Sequence, residues 1–287
     1  MKRTNYYNLY QYGNPRGFCD YLRTVYSNFC RFPLYSYEVI FDKGPLKKCF
    51  KDVPVYANTV KFCDEDIIRP YKFLNDFQGG VSEINNDTQN TNTEGQAKQY
   101  FTKFIEDRLS KDVNELLYKY TNEFGNDFMA IHIRCGDHNI CNLKNPDIRI
   151  KENDAIKKIK IIKSLLGSDF NKCLLFTDSE KLRLLVKEDN DICNLKTFSH
   201  NIIHVAYNFL LNTRTENDAI LTIAEWFFMS KAYRIYSVST PYDNQNRLSS
   251  FSMMTSYLYG IPFYYLNDRD VLIEGFNPSK LWGNIES

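Results

Sequence analysis

Apolar positions fall into short blocks of two alternating periods. From Asn5 to Tyr12 aromatic and polar residues alternate, which is the period of a half-buried strand. Gly13-Asn-Pro-Arg-Gly17 then breaks the pattern. Phe18, Leu22, Val25, Tyr26 and Phe29 follow at helical spacing and predict a helix over 18–31. Strand, glycine-rich turn and helix make one βα unit of the kind that begins a nucleotide- or sugar-binding α/β domain. The turn is either an ordinary connection or a ligand-facing loop, and Asn14 and Arg16 favour the second. Residues 37–41 predict a second strand and 60–63 a weaker third. The polar stretch 79–95 predicts a mobile surface loop. Phe101, Phe104, Ile105, Leu109, Val113, Leu116, Leu117 and Tyr120 predict a helix over 99–120. The turn at 122–126 is the expected domain boundary.

Beyond it the alternation becomes regular. Strands are predicted over 128–134, 171–178, 202–205, 233–239 and 261–266. Helices are predicted over 153–166, over a segment capped by Ser179 with Leu182, Leu184, Leu185 and Val186 inside, over 216–231, and from Ser249–Ser252 to Tyr259, stopped by Gly260. Strands alternating with helices imply a parallel, doubly wound sheet. Two such units in one chain, 1–122 and 123–287, leave a cleft between them.

Composition narrows the partners. The net charge is +1 with the signs mixed, so no basic stripe points to nucleic acid or an anionic membrane. The N-terminal residues lack a signal-like apolar core, and no run of about 18 apolar residues occurs. A cytoplasmic protein without a membrane anchor is the expectation. Eight cysteines are scattered without a Cys-x-x-Cys pair, which argues for buried thiols rather than zinc. No Gly-x-Gly-x-x-Gly or Gly-x-x-x-x-Gly-Lys-Ser/Thr loop is present.

The candidate chemistry gathers at strand ends. Arg134 ends the apolar run 128–133, and a guanidinium there needs an anion. That anion is either a bound phosphate or Asp137 across the Gly136 turn. Thr177 and Asp178, Ser237 and Ser239, and Ser249, Ser250, Phe251 and Ser252 also fall at strand C-termini or a helix N-terminus. In a parallel sheet these share one rim, where one guanidinium, hydroxyls and helix N–H groups suit a phosphate. The serines are alternatively plain caps. His132 shares a face with Arg134 and is either a ligand contact or a structural histidine. The triplets Asp64-Glu-Asp66 and Asp268-Arg-Asp270 are either divalent-metal ligands or surface loops.

Ile131-His-Ile-Arg-Cys-Gly-Asp137 resembles the His-x-Arg-x-Gly-Asp motif of the α1,2/α1,6- and protein O-fucosyltransferase superfamily. Phe176-Thr-Asp178 is similar to that superfamily's middle element. The block 221–266, with Met-Ser-Lys-Ala, Ser-Ser-Phe-Ser and Gly-x-Pro, resembles its closing region. Gly13–Gly17 matches its N-terminal glycine loop only loosely. The resemblance implies a GT-B α/β fold, with two Rossmann-like parallel-sheet domains facing across a cleft. The donor nucleotide would bind the C-terminal domain, and the glycan or glycoprotein acceptor the N-terminal one. It implies an inverting, metal-independent glycosyltransferase with no cofactor beyond the nucleotide sugar. GDP-fucose is the expected donor, and a UDP-sugar such as UDP-xylose is the alternative. A non-catalytic carbohydrate- or nucleotide-binding protein is the alternative of another class. Arg134 would hold the donor diphosphate. Gly13, Asn14, Arg16, Gly17, His132, Asp137, Thr177, Asp178, Ser237, Ser239 and 249–252 would line the substrate sites. Asp20, Asp64, Asp66 and Asp76 are the candidate bases for the acceptor hydroxyl.

Overall fold

The computed structural model describes residues 2–6, 18, 19, 22, 26, 36–40, 47–51, 93–136, 150–200, 216–242 and 245–276. The N-terminal strands β1 (Lys2–Tyr6) and β2 (Ser36–Ile40) pair in parallel, with Lys2 opposite Ser36 and Tyr6 opposite Ile40. Phe18, Cys19, Leu22 and Tyr26 between them are helical and buried, which is the expected βα unit. The first strand begins three residues earlier than its alternation suggests, and 7–12 lie outside the described residues.

The helix expected over 99–120 is two helices, α1 (Thr93–Glu106) and α2 (Lys111–Phe124). Ser110 makes the break, since its hydroxyl accepts the Val113 N–H at 3.3 Å and caps α2. Ile105, Leu109 and Val113 keep four-residue spacing across it, so periodicity alone passes over the break. Thr93–Gly95 belong to α1 rather than to the expected surface loop. Gly125, at φ 78°, ends α2 within the expected turn and donates its N–H to Thr121 O.

From there the chain builds β3 (Met129–Ile133), α3 (Glu152–Leu166), β4 (Cys173–Thr177), α4 (Glu180–Glu188), β5 (Lys196–Thr197) and α5 (Glu216–Met229). Next come β6 (Arg234–Val238), the hairpin β7 (Thr240–Tyr242) and β8 (Gln245–Arg247), α6 (Ser250–Tyr259), β9 (Phe263–Leu266) and β10 (Leu272–Glu274). Six strands form one sheet in the order β10-β9-β6-β3-β4-β5, all parallel except β10 at one edge. β3 and β4 are buried along their whole length, as strands covered on both faces must be.

Period-2 alternation sorts the strand residues into two cores. Ala130, Leu174, Phe176, Ile235 and Phe263 pack under α1, α2, α5 and α6. Met129, Ile131, Ile133, Leu175 and Val238 pack under α3 and α4. Each such side chain contributes roughly 1.5–3 kcal/mol relative to exposure. α1 and α2, which precede the expected boundary at 122/123, share the first core, as do Phe18 and Tyr26. Phe18 meets Trp226 edge-on at 5.3 Å, and Tyr26 meets Phe101 at 5.1 Å.

Some elements depart from expectation. The strand expected at 202–205 lies outside the described residues, and the sheet edge is instead β5. β7, β8 and β10 have three residues each, too few to show a period. Asp268-Arg-Asp270 forms the tight turn between β9 and β10, with Asn267 N–H on Val271 O at 3.0 Å and Asp270 at φ 60°. Lys158 of α3 donates to Asn267 O at 3.0 Å and pairs with Asp270, so this triplet clasps a hairpin to the sheet face. In α4 the buried residues are Leu182, Arg183 and Val186, while Leu184 is exposed. Cys19, Cys49, Cys135 and Cys173 are buried, and burial pushes the Cys173 thiol up to about 12. Among the described residues no helix is long and apolar enough to cross a membrane.

Candidate functional site

The strand order locates the site. The chain enters the sheet at β3, builds outward to β4 and β5, then returns to β6 on the other side and continues to β9. The reversal lies between β3 and β6. At such a point the connections leave in opposite directions, and a crevice opens at the carboxyl ends of the strands. Arg134 follows β3 directly, Ser237 and Ser239 end β6, and α6 starts at the same rim. The adjacent end of β4 adds Thr177 and Asp178.

Arg134 is anchored from behind. Its Nε lies 4.0 Å from Asp178 Oδ2, and its side chain keeps 20% exposure at the rim. Asp178 in turn accepts the backbone N–H groups of Cys135 at 2.7 Å and Gly136 at 3.0 Å. Gly136 sits at φ 94°, where a side chain would strain the turn. Burial raises the Asp178 pKa, while the Arg134 charge and the two N–H groups pull it back down. The carboxylate thus ties the end of β4 to the turn that carries Arg134. Asp178 is an anion that the sequence pattern does not pair with Arg134, and Asp137 lies outside the described residues.

His132 faces the same side of the sheet. Its ring lies flat on Phe251 of α6, with centroids 5.5 Å apart and planes 20° apart. Burial, and then the Arg134 charge, push its pKa down to about 3, so the ring is neutral near pH 7. Its Nδ1 is buried without a hydrogen-bond partner among the described residues.

α6 presents its positive end there. Ser249 caps it by accepting the Phe251 N–H at 3.3 Å, and no acidic residue occupies the first turn. Trp226 of α5 donates its indole N–H to Phe251 O at 3.0 Å, which fixes that turn. Gly260, in the left-handed region at φ 67°, ends the helix. Ser252 Oγ lies 3.4 Å from Ser237 Oγ and 3.3 Å from Ser249 O.

Sequence-predicted residues therefore divide by use. Arg134 lies by Asp178, His132 stacks on Phe251, and Ser250 opens α6 beside Phe251. Thr177, Ser237, Ser239, Ser249 and Ser252 share the rim but are buried. Thr177 Oγ1 accepts the Ser179 N–H at 3.2 Å, and Ser239 N–H reaches Leu266 O at 2.8 Å. Gly13, Asn14, Arg16, Gly17, Asp20, Asp64, Asp66 and Asp76 lie outside the described residues. Among the described residues no three His, Cys, Asp or Glu side chains group as metal ligands.

A second polar cluster lies behind the rim. Glu225 of α5 is fully buried, and His200 Nε2 approaches its Oε1 at 2.6 Å. Tyr120 hydroxyl lies 3.3 Å from the same His200 nitrogen. Burial pushes the Glu225 pKa up to about 7, against the pull of His200 and Arg183. Arg183 is buried and donates Nη1–H to Thr177 O at 3.1 Å. The sequence carries one signal of this cluster: Glu225 is the only charge in the apolar run 219–229.

No family model matches the chain, and no curated protein matches it. Solved structures do. A NodZ α-1,6-fucosyltransferase co-crystallised with GDP superposes with a TM-score of 0.55 at 10% identity, over 97% of this chain and 99% of that one. Fucosyltransferase NodZ from Bradyrhizobium gives a TM-score of 0.54 at 12% identity, over 97% of this chain and 100% of that one. Its selenomethionine form also gives 0.54, at 11% identity. Identity this low speaks to the fold alone: the chain is α/β with the GT-B fold of these structures.

Proposed function

We propose that the chain is an inverting, metal-independent glycosyltransferase that moves L-fucose from GDP-fucose to a glycan hydroxyl. The observation that carries this reading is Arg134. It stands at the carboxyl end of the central strand, at the reversal of strand order, two residues after His132, whose ring stacks on Phe251 in the first turn of α6. A nucleoside diphosphate is the ligand such a place suits, because it brings two negative charges and a flat base to one crevice. The NodZ structure whose fold this chain shares was co-crystallised with GDP, which favours guanosine over uridine as the base.

The chemistry follows from charge. The acceptor oxygen attacks the anomeric carbon, the bond to the diphosphate breaks, and a carboxylate takes the hydroxyl proton. Negative charge grows on the leaving diphosphate, and Arg134 and the α6 N-terminus stabilise it. Asp178 keeps Arg134 in place and spends its own oxygens on Cys135 and Gly136. His132, neutral, offers Nδ1 to the bound nucleotide without adding charge. The proton acceptor is one of Asp20, Asp64, Asp66 or Asp76.

The test is turnover with a panel of GDP-, UDP- and CMP-sugars, counting transfer to glycans and donor hydrolysis. Release of fucose from GDP-fucose, reduced about 10²–10³-fold in Arg134→Ala, is the expected result. Turnover of UDP-xylose alone would move the donor assignment. Binding of GDP without any turnover would leave a nucleotide-binding protein instead of an enzyme.

A further inference from the structure

Glu225 occupies a place where an apolar side chain would pack as well. It is fully buried on a helix whose neighbouring residues are Ile223, Ala224, Trp226 and Phe227. A carboxylate there costs several kcal/mol of desolvation unless cations meet it. His200 Nε2 lies 2.6 Å from it, and Arg183 and Glu225 each favour the other's charged form. Arg183 is itself buried, and its Nη1–H is given to Thr177 O, the last carbonyl of β4. The next residue is Asp178, which holds the Cys135 and Gly136 N–H groups directly after Arg134. A series of contacts therefore runs from Arg183 through Thr177 and Asp178 to the turn that aims Arg134, and Glu225 bears on it through its charge on Arg183.

We infer that Glu225 and Arg183 are positioning residues for Arg134, acting through the end of β4 without touching the ligand. The inference rests on the reading of Arg134 as a diphosphate ligand, but its first consequence needs no ligand. The Asp178-bound amides of Cys135 and Gly136 report the turn directly. Without Glu225, Arg183 loses the largest of the three carboxylate charges, those of Glu225, Glu180 and Asp178, that favour its own. The carbonyl of Thr177 is then held less firmly, and Asp178 with it.

Amide exchange in the full chain tests this, with GDP affinity measured alongside. In Arg183→Met the Cys135 and Gly136 amides are expected to exchange at least about tenfold faster. The amides of β9, on the far side of the sheet, are expected to change by less than about twofold. GDP affinity falls roughly tenfold, and Arg183→Lys restores most of both losses. Glu225→Gln, close to isosteric, gives the same local acceleration and carries the test if Arg183→Met does not fold. Unchanged exchange at Cys135 and Gly136 in a folded variant would overturn the inference. Equal acceleration across every strand would also overturn it, because that is plain loss of stability. If wild type binds no GDP, the diphosphate reading fails, while the exchange result still decides whether these residues hold the turn.

Discussion

Asp178 and Glu225 are both carboxylates taken out of water, and the protein meets them with different partners. Asp178 sits at the end of a strand and receives two backbone N–H groups, at 2.7 and 3.0 Å, with Arg134 at 4.0 Å. Those donors are part of the chain and cannot titrate. Glu225 sits in mid-helix, where the backbone N–H groups are already used, so only side chains can reach it: His200 at 2.6 Å and the charge of Arg183. Burial raises both acids, but it carries Glu225 up to about 7, whereas fixed dipoles and Arg134 oppose the rise at Asp178. A carboxylate at a strand end is a rigid girder, suited to aiming an arginine. One inside a helix depends on side chains brought to it from other elements.

The sharpest way to break this contrast is to remove the girder. Asp178→Ala strands two buried N–H groups and leaves Arg134 without its anchor, at a cost on the order of 3 kcal/mol. Denaturant unfolding measures it, and a loss below about 1 kcal/mol would mean that the N–H groups find other acceptors.

pH separates the two clusters by sign. Glu225 has a folded pKa raised from 4.5 to about 7, so its contribution is full below 4.5 and is lost as pH rises toward 7. Wild type should therefore lose ground to Glu225→Gln across that window, by no more than about 1.4 kcal/mol per pH unit. His132 behaves oppositely. Its folded pKa is lowered from 6.5 to about 3, so its contribution is full above 6.5 and is lost as pH falls toward 3. Against His132→Gln, wild type should lose stability only on the acid side. Thermal unfolding at half-unit pH steps checks both, and slopes of the same sign would contradict the assignment. The smallest effect is expected from Tyr120→Phe, which removes the hydroxyl beside His200 and costs roughly 0.5–1.5 kcal/mol in the same unfolding assay.

Much of the C-terminal half was legible because single residues carried unambiguous physics. An apolar run ending in arginine can hardly be anything but a buried strand with an anion at its end, and β3 with Arg134 is that. Ser249 and Gly260 bound α6 by capping chemistry, and both do so here. Asp178 was visible as a rim residue. Its partners were not, because they lie 42 and 43 residues away and are backbone groups that no residue pattern marks. Arg183 was hidden among leucines, where a one-residue error in helix phase exchanges it with Leu184. The break before Ser110 was hidden because Ile105, Leu109 and Val113 keep their spacing across it. Toward the N-terminus, the parallel pairing of β1 with β2 agrees with the βα reading. The candidate bases Asp20, Asp64, Asp66 and Asp76 fall outside the described residues and are left to mutagenesis.

Calorimetric titration of GDP into wild type and Arg134→Ala tests the central claim most directly. The account requires that wild type bind GDP and that Arg134→Ala bind it about tenfold to hundredfold more weakly, the worth of a charge-assisted contact. Unfolding of the unliganded variant should stay within about 1 kcal/mol of wild type, because Asp178 keeps its two N–H groups. Equal GDP affinity in the two proteins, or no GDP binding by wild type, would contradict it.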